Sequence, residues 1–404
     1  MISSKGGSGK TVMTATFATF LTALGKKVLI IDTDASTNGL TLMYLKEVTI
    51  HEENTISQDR KPLGIYELDD LINDIPEIVQ LPTGVHLIPA TYSFKNTEDT
   101  SLKTFSDNLK HYLRNAEQEY NYIFLDAQAG SDKFAHACMA KNVAHEVVIV
   151  SEYDPLSAAG VERLKALFRD DLTYNRTWVL LNKMLPDFVK SFSDFLEVAK
   201  YLSPIPWDAE VVKAYARRRL ALNMEYGNEF TVAVLHTLKT LFAEELESEL
   251  NTWLNDKANL LKEPLNAQYE DLRRQLRVLY GLKSKPSGLS FRRVANYISP
   301  YSFRFLSIAI LLILFIILTN SYLTNKSITA VFEKNNDIIL MAILALSAIM
   351  TYSTLYHGRW RENDESVYSR EISRLEEKIT KIDSLRSANL EDLIKQNKKL
   401  NTSV

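Results

Sequence analysis

The stretch that most constrains this chain is Ser4–Thr11, which reads Ser-Lys-Gly-Gly-Ser-Gly-Lys-Thr. Glycines carry no Cβ, so this backbone can turn tightly and direct its N–H groups inward. A helix that begins near Gly9 and Lys10 would add the positive end of its dipole at the same place. The stretch therefore predicts a phosphate-binding loop in which Lys10 reaches the β- and γ-phosphates and the Thr11 hydroxyl holds Mg²⁺.

The loop departs from the common pattern Gly-x-x-x-x-Gly-Lys-Ser/Thr, since Ser4 replaces its first glycine and an extra lysine, Lys5, precedes the glycine pair. The string Lys-Gly-Gly-x-Gly-Lys-Thr resembles the deviant Walker A motif of the ParA/MinD family of dimeric ATPases. The resemblance implies ATP and Mg²⁺ as cofactors and a Lys5 that reaches across a dimer to the partner's ATP. The nucleotide-binding residues that it implies in the loop are Gly6, Gly7, Ser8, Gly9, Lys10, Thr11 and Val12. The alternative is a glycine-rich turn with two solvated lysines.

An acidic strand end follows the loop. Residues 27–32 form an apolar run that ends in Asp32-Thr33-Asp34, as a buried parallel strand would. In the family, the second aspartate of this motif orients the attacking water, so the resemblance assigns catalysis or Mg²⁺ organisation to Asp34. The alternative is that Asp34 caps the next helix.

A second acidic strand end is found at residues 120–126, where apolar residues lead into Asp126. This is a Walker B pattern, which puts the Asp126 carboxylate at the carboxyl end of a strand near the Mg²⁺ shell. The pattern is weak alone and much stronger after a phosphate loop.

Two later positions resemble the adenine-binding part of the family. Asn182 follows the apolar strand 178–181, and Pro206 lies in Ile-Pro-Trp-Asp, which is similar to the family's Ile-Pro-x-Asp segment. The resemblance implies that both line the purine pocket. Asn182 is alternatively a turn former at a strand end.

Strands that alternate with helices predict an α/β fold over residues 1–241, with a doubly wound, mostly parallel sheet and the ligand at its carboxyl edge. We expect helices at 11–24, 63–71 and 102–119, and a charged loop at 46–62.

The rest of the chain has a different pattern. Leucines at spacings of three, four and seven predict a helical stalk at 242–282, kinked at Pro264, followed by a linker at 283–304. Two uncharged runs, 305–325 and 338–358, predict a transmembrane hairpin around an external loop at 326–337. A coiled-coil tail is predicted at 359–404, paired with the stalk or with a second subunit.

The distribution of charge and the cysteine content indicate where in the cell this chain is expected. Arginines flank the hairpin on both outer sides, so the positive-inside rule predicts a two-pass protein of the bacterial inner membrane with both termini cytoplasmic. One cysteine rules out an intrachain disulfide and suits a reducing compartment. A net charge of −3 gives no general signal for nucleic acid.

These patterns favour a membrane-anchored ATPase that dimerises around ATP–Mg²⁺ and acts as a nucleotide-dependent switch for an unidentified protein partner. A membrane scaffold or receptor with structural nucleotide is the alternative. A tyrosine kinase is less favoured. In kinases with this fold the kinase domain usually comes after the membrane segments in the chain, and here the order is reversed. A DNA-partitioning ATPase is also less favoured, although Arg217–Arg219 could contact phosphates.

Overall fold

The computed structural model describes residues 1–69, 74–93, 100–185, 187–188, 199–284, 300–325, 335–359 and 364–395. These residues form two compact units. The first comprises residues 1–261 and the end of the chain from Ala388. The second comprises Lys262–Ser387.

The first unit is built on parallel strands. In chain order these are β1 (Ile2–Ser3), β2 (Val28–Thr33), β3 (Val79–Gln80), β4 (His86–Ile88), β5 (Tyr122–Ala127), β6 (Val147–Ser151), β7 (Thr177–Leu181) and β8 (Lys200–Tyr201). They are ordered β3-β4-β2-β5 and β1-β6-β7-β8, and only β3 is antiparallel to its neighbour. Backbone hydrogen bonds from Met1 to Leu125 and from Ala127 to Met1 join the two sets through β1. The α/β fold with parallel strands is confirmed.

Helices cover both faces of these strands. They are α1 (Lys10–Ala23), α2 (Gly39–Met43), α3 (Leu45–Ile56), α4 (Leu102–Ala116), α5 (Lys133–Met139), α6 (Pro155–Leu167), α7 (Ala209–Ala216) and α8 (Glu229–Leu241). One core holds Phe17, Phe20 and Leu235, and the other holds Phe105, Phe134 and Val161. Two separate apolar layers are what a doubly wound sheet requires, because each sheet face must be buried.

Two local predictions are wrong. Residues 63–69 are not helical, because Ile65 and Tyr66 donate their N–H groups to the backbone after β4 and Glu67 accepts the N–H groups of Gly64 and Tyr92. These long-range bonds replace the local bonds of a helix.

The predicted loop at 46–62 is instead mostly α3. Val48 on this helix is buried in the core, which anchors a segment whose other side chains are largely charged. In this segment, burial of a few residues outweighs a polar composition.

The long helix α9 (Ala243–Ser284) begins in the first unit and continues through Pro264 into the second. The second unit also contains α10 (Pro300–Asn325), α11 (Asn336–Arg359) and α12 (Asp364–Arg386). Residues 285–299 of the predicted linker and residues 326–334 of the predicted external loop lie outside the described residues.

In the second unit α12 pairs with α9 in antiparallel orientation. Tyr280 donates to Glu376 at 2.7 Å, and Arg386 donates to Asn266 at 2.6 Å and lies over the Tyr269 ring. Ile372 and Leu375 are buried in α12. Of the two pairings that the sequence left open, this is the one within the chain.

Helices α10 and α11 pack against each other at the positions of the two uncharged runs. Among the residues that the structure describes, no helix is both long enough and apolar enough to cross a membrane. The predicted helices are therefore present, and the predicted transmembrane spans at 305–325 and 338–358 are not confirmed.

The chain returns to the first unit after α12. Leu390, Leu393 and Ile394 are buried in a helical segment at 390–395, and Leu390 and Ile394 belong to the same core as Trp253. Nε2 of His236 in α8 lies within hydrogen-bond distance of Glu391, at 2.8 Å.

Candidate functional site

The phosphate loop links β1 to the N-terminus of α1. Gly7 and Gly9 have φ values of +82° and +92°, a region that side chains with a Cβ rarely adopt. A Cβ on Gly9 would also lie 2.3 Å from Nδ2 of Asn182. Because Gly9 is the N-cap of α1, the loop lies at the positive end of that helix dipole.

Asp126 at the end of β5 is the centre of the buried polar contacts below the loop. Its carboxylate accepts from Lys10 Nζ at 2.8 Å, Thr11 Oγ1 at 2.7 Å and Thr14 Oγ1 at 3.1 Å. Asp126 is fully buried and Lys10 nearly so. The structure thus brings together the three residues that the sequence selected for phosphate and Mg²⁺.

Asp34 lies at the end of β2 and lines the same cleft. Its carboxylate accepts from the N–H groups of Ser36 and Thr37 and from both hydroxyls. Asp34 thus stabilises the turn that follows β2 and does not cap the next helix, since the N-cap of α2 is Asn38. The catalytic role of Asp34 stays a prediction.

Asp32 was noted in the sequence but not selected as a site residue. It is fully buried beside Asp126 in the paired register of β2 and β5. Burial first, and the neighbouring Asp126 charge second, raise the pKa of Asp32 to about 7 despite two hydrogen bonds from Thr41.

Lys5 is held by carboxylates of its own subunit. Its Nζ lies 2.8 Å from Glu152 and 3.1 Å from Asp154, at the end of β6. Glu152 also pairs with Lys183 at 2.9 Å, and Lys183 donates to the carbonyl of Gly7. The hydrogen bond from Lys5 to Glu152 raises the pKa of Lys5. Sequence reasoning missed this network, because no local pattern joins a loop lysine to the end of a distant strand.

A cleft of about 670 Å³ opens above the loop, within the size range of nucleotide and cofactor pockets. Its far wall contains Asn182, Pro206, Trp207, Tyr215 and Phe230. Met184 forms a β-bridge with Pro206, which brings the Ile-Pro-Trp-Asp segment beside the end of β7.

Asn182 is buried, and its Nδ2 donates to the Ser8 carbonyl at 2.8 Å. The amide of Asn182 therefore braces the loop, and its Oδ1 is the atom left to accept from a base.

The residues of the cleft fit a magnesium nucleotide. Ser8 Oγ is buried in the loop without a hydrogen-bond partner, as a cradle for an anion would leave it. Thr11 and Asp126 offer the oxygen atoms that Mg²⁺ prefers. Among the described residues no cluster of three or more acidic, histidine or cysteine side chains could hold a metal alone.

Arg217, Arg218 and Arg219 lie just beyond α7 and are exposed, and Arg218 has a positive φ. They do not line the cleft. Contact with DNA phosphates remains a prediction.

Comparisons with known proteins agree with this geometry. Residues 1–175 match a family described as an AAA domain. An uncharacterized ATP-binding protein of Methanocaldococcus jannaschii is 27% identical over 228 residues, which are 55% of this chain and 79% of that protein. The septum site-determining protein MinD of Bacillus subtilis is 22% identical over 258 residues, 60% of this chain and 88% of that protein.

Among solved structures, the MinC:MinD cell division complex of Aquifex aeolicus is similar with a TM-score of 0.46 and 23% identity. The similarity covers 60% of this chain and 95% of the A. aeolicus chain. MinD of Pyrococcus horikoshii, complexed with Mg-ADP, is similar with a TM-score of 0.45 and 18% identity. This similarity covers 62% of this chain and 96% of the P. horikoshii chain.

Proposed function

We propose that this chain, whose residues 1–175 match the AAA-domain family and which is similar to MinD proteins, dimerises around ATP–Mg²⁺ and works as a nucleotide-dependent switch. The observation that carries the proposal is the convergence of Lys10, Thr11 and Asp126 beneath a glycine loop, with Lys5 nearby among half-buried carboxylates. An ATP-bound partner would offer Lys5 a phosphate in place of these carboxylates.

Each residue has a distinct part in this proposal. Backbone N–H groups of Gly6 to Val12 and the Lys10 ammonium bind the phosphates. Thr11 and Asp126 hold the Mg²⁺, which supplies charge neutralisation at the phosphates. Asp34 orients the water, and Asn182 and Pro206 line the base pocket.

The surface around the cleft supports association with a second copy. Trp207 and Tyr215 line the cleft and are about half exposed, and Tyr153 packs on Phe188 with 5.6 Å between ring centroids. Leu156 on α6 is largely exposed. Exposed apolar residues such as Trp207 and Tyr215 at the mouth of a cleft commonly mark an interaction surface.

The test is ATP-dependent association of the full chain, measured by sedimentation with and without ATP and Mg²⁺. Lys10→Ala should abolish nucleotide binding and association together. Lys5→Ala should leave nucleotide binding by one subunit nearly intact and abolish association. If both variants associate as the unchanged protein does, the proposal fails.

We also propose that α10 and α11 attach the ATPase to the cytoplasmic face of a bacterial membrane, which would gather the switch and its protein partner at one surface. Although the two helices pack on each other, many of their large apolar side chains are exposed. These include Ile308, Leu311, Leu312, Ile313, Phe315, Ile316, Met341 and Leu344. Apolar exposure of this extent is costly in water and favours a lipid surface.

Flotation with vesicles of phosphatidylethanolamine and phosphatidylglycerol tests the attachment. The doubly substituted Ile313→Asp, Ile316→Asp protein should lose most of its vesicle binding. The matched control is Leu260→Asp, Val278→Asp, which adds the same charge at exposed positions of α9. Equal flotation of both variants would contradict attachment through α10.

The substitution Asp34→Ala distinguishes the proposed switch from the alternative, a scaffold in which the nucleotide has only a structural role. A switch loses turnover and function together, whereas a scaffold keeps its function.

A further inference from the structure

Two consecutive residues that follow β7 bind two consecutive carbonyl groups of the phosphate loop. Nδ2 of Asn182 donates to the carbonyl of Ser8 at 2.8 Å, and Nζ of Lys183 donates to the carbonyl of Gly7. Nζ of Lys183 also lies 2.9 Å from a carboxylate oxygen of Glu152. The end of β7 therefore holds the loop at two adjacent peptide groups.

The backbone of Lys183 has a conformation that a residue with a Cβ rarely adopts, with φ at +58°. Both of its neighbours are fixed by backbone hydrogen bonds. The N–H of Asn182 donates to Ser151 at 2.8 Å, and the N–H of Met184 donates to Ile205 at 3.0 Å. Lys183 is thus the residue at which the chain kinks between two bonded positions. Backbone strain that the surrounding structure maintains in this way is concentrated at functional sites.

The two contacts with the loop carbonyls also determine which way the loop N–H groups face. In a trans peptide the C=O and the N–H of one peptide group point in opposite directions. A Gly7 carbonyl held by Lys183 therefore turns the N–H of Ser8 away from β7, and a Ser8 carbonyl held by Asn182 does the same for the N–H of Gly9. Both N–H groups are then available to an anion. A loop that already has this arrangement loses less conformational freedom when phosphate binds.

We propose that Lys183 is a positioning residue for the phosphate loop, an inference that rests on the proposed function and adds to it a residue outside the loop that sets nucleotide affinity. Lys183 acts through the Gly7 carbonyl and is not itself a phosphate ligand. The N–H groups of such a loop cradle the α- and β-phosphates, which ADP and ATP share. Loss of the contact between Lys183 and Gly7 should therefore weaken the binding of both nucleotides by the same factor.

The test is Lys183→Asn in the full chain, titrated with the fluorescent analogues mant-ADP and mant-ATP in the presence of Mg²⁺. Asparagine tolerates a positive φ better than lysine does, so the kink is kept, but its side chain is too short to reach Gly7. We expect both dissociation constants to rise about tenfold, the effect of losing one hydrogen bond from a charged donor. The unfolding temperature without nucleotide should stay close to that of the unchanged chain, which separates this loss from a failure to fold.

Two further variants complete the comparison. Lys183→Arg keeps a charged donor at this position and should keep most of the affinity. The matched control is Lys141→Asn, which removes the same charge from an exposed lysine outside the cleft and should leave both dissociation constants unchanged.

Two results would overturn the inference. A loss confined to mant-ATP would make Lys183 a ligand of the γ-phosphate, and equal binding by Lys183→Asn and the unchanged chain would mean that the contact with Gly7 does not set affinity. Both results leave the proposed function standing, whereas the proposed function fails if the unchanged chain binds neither nucleotide.

Discussion

Glu152 is the residue that holds Lys5 within its own subunit, and it binds Lys183 as well. An ion pair that is about one-third exposed contributes about 0.2–1 kcal/mol. If Lys5 must leave Glu152 in order to bind a partner's phosphate, breaking this ion pair costs dimerisation a small free energy.

We accordingly expect Glu152→Gln to promote ATP-dependent association. The neutral amide weakens the hold on Lys5 and leaves Asp154 in place as the N-cap of α6. The ATP concentration that gives half-maximal association should fall by up to about fivefold, because losing one such ion pair changes the free energy of association by up to about 1 kcal/mol. Sedimentation across an ATP titration measures this, with Glu162→Gln on the exposed side of α6 as control. A weaker dimer in Glu152→Gln would mean that Glu152 supports the interface.

Asp32 makes the stability of the protein dependent on pH. Its pKa is near 7 when folded and near 3.8 when exposed. The folded state thus binds an extra proton between these values, so this residue's contribution to stability falls as pH rises from about 4 to 7.

Asp32→Asn should remove that dependence. Asparagine keeps an oxygen acceptor for Thr41 and cannot ionise, so the variant should be more stable than the parent by on the order of 1 kcal/mol or more above pH 7. The advantage should shrink toward pH 4. Urea unfolding without nucleotide, at a series of pH values, measures this, with the exposed Asp170→Asn as control. A pH-independent difference would contradict the assignment.

Local spacing was enough to find Lys10, Thr11 and Asp126, because a phosphate loop and an acidic strand end have distinct sequence patterns. It was not enough for the contacts of Lys5, since Asp154 lies 149 positions away. The partner of a long, charged side chain depends on which strand ends meet, and a single sequence does not reveal this.

At the scale of elements, the strands were easier to predict than the connections between them. Each buried parallel strand is a short apolar run, and β2, β5, β6 and β7 all lie where such runs occur. The helix α3 was missed because its polar face dominates its composition. The segment 63–69 was mistaken for a helix because its hydrogen bonds go to distant backbone.

The described polar contacts between α9 and α12 are few. Arg386 bonds Asn266 and lies over the Tyr269 ring, and its pair with Asp383 lies within α12. We expect Arg386→Ala to destabilise the pair by about 1–2 kcal/mol, from a charged hydrogen bond and a cation–π contact.

Amide exchange in α12 is the measurement, and protection should fall along the helix. Arg374→Ala is the matched control, because Arg374 is an exposed arginine of the same helix. Equal loss of protection in both variants would mean that helix propensity, not the contacts of Arg386, sets the stability of the pair.

At the scale of the whole molecule, the first unit is discontinuous in sequence. Its core includes Leu390 and Ile394, which follow the second unit in the chain. Burying one aliphatic side chain stabilises the folded state by about 1.5–3 kcal/mol relative to leaving it exposed. The end of the chain is therefore part of the ATPase unit.

A chain that stops at Leu261 should consequently unfold at a lower temperature than one in which residues 262–387 are replaced by a flexible linker. Both lack the second unit, and only the latter keeps Leu390 and Ile394, which belong to the same core as Trp253. Calorimetry of the two proteins measures the difference, and Ile394→Asp in the linked form serves as a control that should abolish it. Equal melting of the truncated and linked chains would contradict a structural role for the terminal segment.

The chain passes from the first unit to the second at Leu261–Lys262 and returns at Ser387–Ala388. During synthesis from the N-terminus, residues 262–387 are therefore made before the segment that completes the core of the first unit. The nucleotide-binding half can reach its final stability only after residues 388–395 have been made.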